Sequence, residues 1–264
     1  MSDLPFAKKS LGQHWLTDAS ALHSIVTLAD VKTGDVVLEI GPGTGTLTDE
    51  LLAAGAEVVA LEFDAERRRE LERKYADLPA NQIFIQEGDI RTYDLSSMPD
   101  EYKVVANIPY YLTANLIRKF TDAEHKPQVL ALLVQKEVAE RLAAAPGSMS
   151  MLAVFAQYYY EVSLGDVVPA RLFTPPPKVD SQVVRLIKRQ RPLFEGVDSK
   201  VFFQLVKAGF SAPRKTLHNS LSGGLRLPKD RVGELLQAAQ LSPTARPQEL
   251  SLDDWHAVCR VYSA

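Results

Sequence analysis

The fold is decided by the stretch Leu38-Glu39-Ile40-Gly41-Pro42-Gly43-Thr44-Gly45-Thr46-Leu47-Thr48. An apolar strand runs straight into a glycine turn, and a helix follows at once. A dinucleotide-binding turn has the spacing G-x-G-x-x-G, whereas this turn reads E-x-G-x-G-x-G. Glycines let the backbone turn sharply and approach a ligand with no side chain in the way. The spacing favours S-adenosylmethionine over NAD as the ligand, with Gly41, Gly43 and Gly45 as cofactor-binding residues.

Acidic residues follow the glycine turn at the ends of successive predicted strands. Glu39 can reach the ammonium end of the cofactor, and Glu62 ends the second strand where ribose hydroxyls would lie. The third strand ends in Glu87-Gly88-Asp89-Ile90. There Asp89 can accept a hydrogen bond from the adenine amine, and Ile90 is assigned to the same cofactor site. Each acid alone could equally be a helix N-cap or a solvated loop residue.

Short β-branched runs alternate with helical stretches over the first part of the chain. The predicted strands are Val36–Ile40, Glu57–Glu62, Gln82–Gln86, Lys103–Ala106 and Val129–Val134. The predicted helices are Thr46–Ala54, Ala65–Leu78, Ala114–Thr121 and Lys136–Ala145. Apolar strands that alternate with helices are typical of a parallel sheet covered on both faces. We therefore expect a doubly wound, Rossmann-like α/β fold.

The last third of the chain follows a different pattern. Two late strands, Tyr159–Val168 and Gln182–Ile187, are expected to form an antiparallel pair around the segment Thr174-Pro175-Pro176-Pro177. After Pro192 the pattern is helical only. The helices expected there are Lys200–Phe210, Lys215–Leu221, Lys229–Gln240 and Leu252–Tyr262, the last with Ser251 as N-cap and Asp254 three residues on. We expect a catalytic domain over residues 1–189 and a small helical domain over residues 190–264.

The fourth strand ends in the segment Val105-Ala106-Asn107-Ile108-Pro109-Tyr110, which carries the expected chemistry. It resembles the [DN]-[PIL]-P-[YF] signature of amino-methylating enzymes. An exocyclic adenine amine is a poor nucleophile, so a site must accept its hydrogens and align it with a methyl donor. The Asn107 side-chain oxygen and the Ile108 carbonyl can accept, Pro109 stiffens the turn and Tyr110 can stack on the base. By itself, the segment could also be an ordinary turn that closes a strand.

Five ordered motifs are similar to those of one family, the ribosomal small-subunit (16S) adenine N6-dimethyltransferases, known in bacteria as KsgA or RsmA. They are residues 9–16, Leu38–Thr48, Asn107–Tyr110, the segment Arg171–Ser181 and the segment Phe210–Leu217. The resemblance implies a class I methyltransferase fold and S-adenosyl-L-methionine as cofactor, with S-adenosyl-L-homocysteine released. Trp15 stands where the family usually has Phe. Ala212-Pro213 replaces a more polar or basic pair, which puts phosphate contacts of that loop in doubt.

The resemblance also assigns residues to roles. His14 and Leu16 contact the cofactor, Gly41, Glu62, Asp89 and Asn107 bind it, and Phe173 packs on the target base opposite Tyr110. The catalytic set is then Asn107, Pro109, Tyr110 and Phe173, and no metal is expected. The implied reaction dimethylates two adjacent adenosines in a hairpin near the 3′ end of 16S ribosomal RNA, within small-subunit ribosome biogenesis. Because a stacked base cannot reach the methyl donor, we expect the adenine to be extruded between the two rings.

The composition bears on the cellular location and on whether disulfides or structural metals are present. No apolar run approaches the roughly 20 residues of a membrane span, and the segment Met1–Pro5 lacks a signal peptide's apolar stretch, so we expect a cytoplasmic protein. We also expect it to be a monomer. The single cysteine, Cys259, excludes an internal disulfide. The five histidines lack metal-ligand spacing, so no structural zinc is expected.

Charge is distributed unevenly along the chain. The net charge of −3 combines −6 over residues 1–189 with +3 over residues 190–264. Residues 171–191 carry one acid and six basic residues: Arg171, Lys178, Arg185, Lys188, Arg189 and Arg191. Such a stretch is either a phosphate-binding surface or a solvated linker.

Three other functions remain open. The first is the related enzyme class that methylates an adenine of large-subunit ribosomal RNA. The second is a noncatalytic ribosome-assembly or transcription factor built on a methyltransferase fold. The third is a dehydrogenase, against which the glycine spacing argues.

Overall fold

The computed structural model describes Lys8 and residues 12–264, and it contains a seven-stranded sheet. The sheet has the order β4-β3-β2-β5-β6-β9-β7. Its strands are β2 (Val36–Ile40), β3 (Glu57–Glu62), β4 (Ile83–Glu87), β5 (Lys103–Asn107), β6 (Val129–Gln135), β7 (Tyr160–Val168) and β9 (Ser181–Lys188). Strands β2 to β6 pair in parallel, and β9 runs antiparallel to β6. The reversal of strand order between β2 and β5 is where α/β proteins bind ligands.

A second, two-stranded sheet joins distant parts of the sequence. In it, β1 (Trp15–Leu16) pairs antiparallel with β8 (Phe173–Thr174). The Thr46 hydroxyl also donates to the Leu16 carbonyl at 2.9 Å, which ties β1 to the helix after the glycine turn.

Ten α-helices lie in the described part of the chain. They are α1 (Ala19–Leu28), α2 (Thr46–Ala53), α3 (Ala65–Lys74), α4 (Thr113–Asp122), α5 (Lys136–Leu142), α6 (Met151–Tyr159), α7 (Ser199–Gly209), α8 (Leu217–Leu225), α9 (Lys229–Ala238) and α10 (Leu252–Ser263). Side chains cap many of their N-termini. Asp64 caps α3, and Ser251 with Asp254 forms the predicted capping box of α10.

The chain divides into two compact units. The first comprises residues 1–140 and 161–188, and its core includes Leu38, Val105 and Leu133, all fully buried. The second comprises residues 141–160 and 189–264. Its core places Phe155 of α6 on Phe203 of α7, with ring centroids 4.3 Å apart.

The predicted α/β class and its strand order along the chain are confirmed, and each predicted strand lies within two residues of an observed one. The two late strands are neighbours at one edge of the sheet, as expected. The predicted boundary at residue 189 placed residues 141–160 in the first domain, whereas in the structure they belong to the second unit, where the apolar helix α6 packs on α7. The linker interpretation of residues 171–191 is wrong for residues 181–188, which form β9.

The remaining expectations concern membrane spans and the N-terminal segments. Within Lys8 and residues 12–264, no helix is long and apolar enough to cross a membrane. Lys9, Ser10 and Leu11 of the first motif, and the segment Met1–Pro5, lie outside the described residues.

Candidate active site

A single cavity at the carboxyl ends of β2, β3, β4 and β5 collects nearly all of the predicted site residues. Those that line it are His14, Leu16, Gly41, Gly43, Glu62, Asp89, Ile90, Asn107, Pro109, Tyr110 and Phe173. Parallel strands end at the same edge, so residues distant in sequence converge there. Gly45 alone of the predicted set does not line the cavity.

The glycine turn needs glycine for two different reasons. Gly41, Gly43 and Gly45 all have positive φ, at 66°, 59° and 77°. A Cβ on Gly43 would lie 2.5 Å from the buried ring of Trp15. The turn therefore exposes bare backbone to the cavity with Trp15 packed behind it.

Gly45 has a structural role that differs from the predicted cofactor contact. It caps α2 in the left-handed conformation, and its carbonyl accepts from the Tyr75 hydroxyl at 2.8 Å and from Lys74 Nζ at 3.2 Å. A Cβ there would lie 2.5 Å from the Tyr75 oxygen. The third glycine of the turn allows α3 to pack against the start of α2.

Glu62, at the end of the neighbouring strand β3, holds the glycine turn in place through hydrogen bonds. One carboxylate oxygen accepts from the Gly43 amide at 3.0 Å, and the other accepts from the Asp64 amide at 2.8 Å. The side chain is buried, and this burial raises its pKa despite the hydrogen bonds. A carboxylate has about four lone-pair sites, more than these backbone amides occupy, so Glu62 can still accept a ribose hydroxyl.

Glu39 lies beneath the turn and is fully covered. It lines the cavity, and one of its oxygens accepts from the Thr48 hydroxyl at 2.6 Å. Burial raises the pKa of Glu39 to about 8, with the neighbouring Glu62 adding to the shift. Near neutral pH the ligand-free protein therefore holds a largely protonated carboxyl beside its cofactor cavity.

We expect this carboxyl to make the stability of the ligand-free protein depend on pH. Between about pH 4.5 and about pH 8 the folded chain keeps a proton on Glu39 that the unfolded chain has released. Its contribution to stability is therefore complete at low pH and is lost as pH rises through the folded pKa. Urea unfolding at pH 5 and pH 8 should show a smaller decline in the free energy of unfolding for Glu39→Gln than for wild type. Equal declines would contradict the assignment.

Asp89 and its neighbours form the next wall. Asp89 accepts from Arg91 Nε at 2.8 Å, and this hydrogen bond holds the pKa of the Asp89 carboxyl below its ordinary value. Ile90 is buried, whereas Phe63, directly after Glu62, is 56% exposed and lines the same cavity. Phe63 was not among the predicted site residues, although an aromatic residue directly after a strand-end carboxylate was a usable signal.

The loop after β5 forms the opposite wall. The Asn107 amide nitrogen donates to the His14 carbonyl at 3.5 Å, which leaves its side-chain oxygen as an acceptor. A 3₁₀ turn over Tyr110–Leu112 follows. The Tyr110 hydroxyl lies 2.8 Å from the buried Ser181 hydroxyl of β9, and burial raises the pKa of Tyr110. The Tyr110 ring is thus held at both ends, by its backbone turn and by Ser181.

His14 and Phe173 reach the cavity from the two-stranded sheet. The His14 ring is nearly parallel to that of Tyr110, with centroids 6.0 Å apart, and its Nδ1 lies 2.7 Å from the Pro175 carbonyl. Phe173 is only 2% exposed and packs in the core of the first unit. Its stacking on a target base stays a prediction, and in this structure the side chain is almost wholly covered.

The described residues contain no set of side chains arranged to bind a metal ion. Over Lys8 and residues 12–264, no three side chains of His, Cys, Asp or Glu are grouped as metal ligands. Cys259, the free cysteine, is buried in the second unit.

The fold and the site together define a class. A parallel sheet with a glycine turn after β2, a carboxylate at the end of β3 and an Asn-Ile-Pro-Tyr loop after β5 is that of an S-adenosylmethionine-dependent methyltransferase. The sequence model for ribosomal RNA adenine dimethylase matches residues 6–263, and the chain belongs to that family. The expected class I fold, the cofactor and the activity of a ribosomal RNA adenine dimethyltransferase are confirmed.

Known proteins agree with this assignment. The chain is 39% identical to ribosomal RNA small subunit methyltransferase A of Dehalococcoides mccartyi, over 97% of this chain and 89% of that protein. A dimethyladenosine transferase from Plasmodium falciparum superposes with a TM-score of 0.82 and 27% identity, over 95% of this chain and 98% of that one. The 23S rRNA methyltransferase ErmE gives 0.77 and 27%, over 95% and 100%.

Proposed function

We propose that this enzyme dimethylates the exocyclic amines of two adjacent adenosines in the 3′-terminal hairpin of 16S ribosomal RNA, on an immature small subunit. The single observation that carries the proposal is the convergence of Glu62, Asn107 and Tyr110 on one cavity. A cofactor held at the β3 end and a base held at the β5 end would meet there. The small-subunit relative at 39% identity supports the choice of substrate.

The residues present fit the cofactor. Gly41 and Gly43 offer bare backbone, and a Cβ on Gly41 would meet nothing within 4 Å, which leaves room for a ligand. Glu62 would accept ribose hydroxyls, and Asp89 would accept from the adenine amine. The exposed ring of Phe63 would cover one face of that adenine. When bound, S-adenosylmethionine supplies an electrophilic methyl group on its sulfonium.

Asn107 and its loop would hold the target amine. The Asn107 oxygen and the Ile108 carbonyl accept the two amine hydrogens, which turns the nitrogen lone pair toward the methyl donor. Pro109 contributes no N–H that would compete with them. Tyr110 stacks on the extruded base, while Ser181 keeps its ring in place. This arrangement orients the amine without ionising any protein group.

The stacking contact of Tyr110 contributes a larger share of base binding in the second methyl transfer to each adenine. A monomethylated amine has one hydrogen fewer to donate to Asn107 and Ile108. Stacking does not depend on that hydrogen. The ring therefore holds the second substrate more than the hydrogen bonds do.

The large-subunit alternative is tested by mapping the product. The protein is incubated with labelled methyl donor and with small or large ribosomal subunits that lack the modification, and labelled adenines are then mapped. We expect label in two adjacent adenosines of the small-subunit hairpin. Label in large-subunit RNA alone would overturn the proposal in favour of an ErmE-like activity.

A ribosomal RNA substrate also suggests where the enzyme acts and which of its surfaces contact the ribosomal particle. We propose that the enzyme acts as a cytoplasmic monomer during ribosome biogenesis. The helical domain over residues 190–264, with its charge of +3, would contact the ribosomal particle. The basic residues of segment 171–191 would meet RNA phosphates, with the exception of Arg189, whose Nε donates to the Gln157 carbonyl at 3.1 Å.

A further inference from the structure

Tyr111 is a large exposed aromatic side chain at the mouth of the cavity. It follows Tyr110 in the same 3₁₀ turn, lines the same cavity and is 60% exposed. Tyr110 itself is half-buried and tied to Ser181. Two successive rings thus differ in depth, one inside the cavity and one at its entrance.

One edge of the Tyr111 ring lies against Gly12. Its Cε1 is 3.3 Å from the position that a Cβ on that glycine would occupy. More than half of the side chain is exposed to solvent, which leaves surface for a planar partner. A tyrosine side chain has few rotatable bonds, so stacking on such a partner costs little conformational freedom.

The other exposed groups at the entrance are already assigned. Arg91, whose side chain is 57% exposed, is paired with Asp89. Phe63 lies at the end of β3, on the cofactor side of the cavity. Among the described cavity residues, Tyr111 is therefore the exposed aromatic group on the base-binding side.

We propose that Tyr111 stacks on the nucleotide next to the target adenosine, which in the proposed substrate is the second adenosine of the pair. This inference rests on the proposed function. Extruding one base leaves its covalently attached neighbour without a stacking partner at the entrance of the cavity. An aromatic ring supplies that partner, and it does so with little dependence on base identity or methylation.

The test compares three variants on small ribosomal subunits whose hairpin adenosines are unmethylated. Tyr111→Ala removes the ring, Tyr111→Phe keeps it, and Phe84→Ala removes a ring that is 59% exposed on β4 and does not line the cavity. Since base stacking on an aromatic side chain is worth about 1–3 kcal/mol, we expect Tyr111→Ala to lower kcat/KM for the subunits roughly fivefold or more. Tyr111→Phe and Phe84→Ala should stay within about twofold of wild type. Affinity for S-adenosylmethionine and the Tm should be unchanged in all three.

A second substrate identifies the base that is contacted. In subunits whose second adenosine carries no base (an abasic nucleotide), the loss caused by Tyr111→Ala should disappear, because the ring then has nothing to stack on. An undiminished loss would overturn the assignment to that base. Tyr111→Ala with wild-type kcat/KM, or with weakened cofactor affinity, would overturn the inference while leaving the proposed function intact. If wild type itself transfers no methyl group to these adenosines, the proposed function fails first.

Discussion

Replacing Tyr110 with alanine is expected to abolish methyl transfer while cofactor binding survives. The ring lies on the base side of the cavity, whereas the turn of Gly41 and Gly43 and the carboxylate of Glu62 form the cofactor side. Loss of stacking and of alignment together should lower kcat/KM by at least about 100-fold. The measurements are transfer of labelled methyl to unmethylated small subunits and calorimetric titration with S-adenosylmethionine.

Two conservative variants serve as controls for this prediction. Tyr110→Phe keeps the ring and removes the hydrogen bond to Ser181, and Ser181→Ala removes the same bond from the other side. If the bond only positions the ring, both should lower kcat modestly and to a similar extent, and the double variant should lose no more than either single one. Turnover retained by Tyr110→Ala would exclude the stacking role.

The second large effect is expected at the cofactor side. Glu62→Ala removes the acceptor of two backbone amides, those of Gly43 and Asp64, along with the proposed ribose contact. The unsatisfied amides lower the stability of the free and the bound protein alike, whereas the lost ribose contact acts on binding. A hydrogen bond to a charged group is worth about 1.5–3 kcal/mol, so the Kd for S-adenosylmethionine should rise about 10- to 100-fold. Binding is measured by calorimetry at a temperature well below the Tm of the variant, where the protein is fully folded.

Glu87 offers a matched control for Glu62. The two residues are paired in register across β3 and β4, and both are carboxylates at strand ends. Glu87 is exposed, pairs with Arg68 and does not line the cavity. Glu87→Ala should therefore leave the cofactor Kd within about twofold of wild type. A Glu62→Ala protein that binds like Glu87→Ala would rule out the anchoring role.

Buried strands and the turn after β2 could be predicted because their physical requirements are local. A strand buried on both faces must be apolar along its length, as Val129–Gln135 is. Gly41 and Gly43 have positive φ values, which favour glycine over residues with a side chain. The strand-end acids converge because parallel strands end together. These rules place Glu62, Asp89 and Asn107 at one edge before any coordinates are known.

The remaining features depend on contacts between distant residues. The sheet of β1 and β8 has two residues per strand, too few for an alternating pattern. Helix α6 is apolar nearly all round, so no periodicity distinguishes it from a buried strand. Helix α1 was missed although Asp18 is a recognisable N-cap. The role of Gly45 depends on Tyr75, thirty residues away, and the exposure of Phe63 and Tyr111 depends on what the fold leaves uncovered.

The pairing of Trp15 with Thr174 and of Leu16 with Phe173 has a consequence for biosynthesis. During translation, the segment that packs behind the glycine turn has no partner strand until residues 173–174 emerge from the ribosome. Closing so long a loop also carries an entropic cost that neighbouring strands avoid. The cofactor pocket of a nascent chain is therefore completed late, after the parallel strands β2 to β6 have been synthesised. A growing polypeptide stays catalytically silent until nearly its whole first unit has left the exit tunnel.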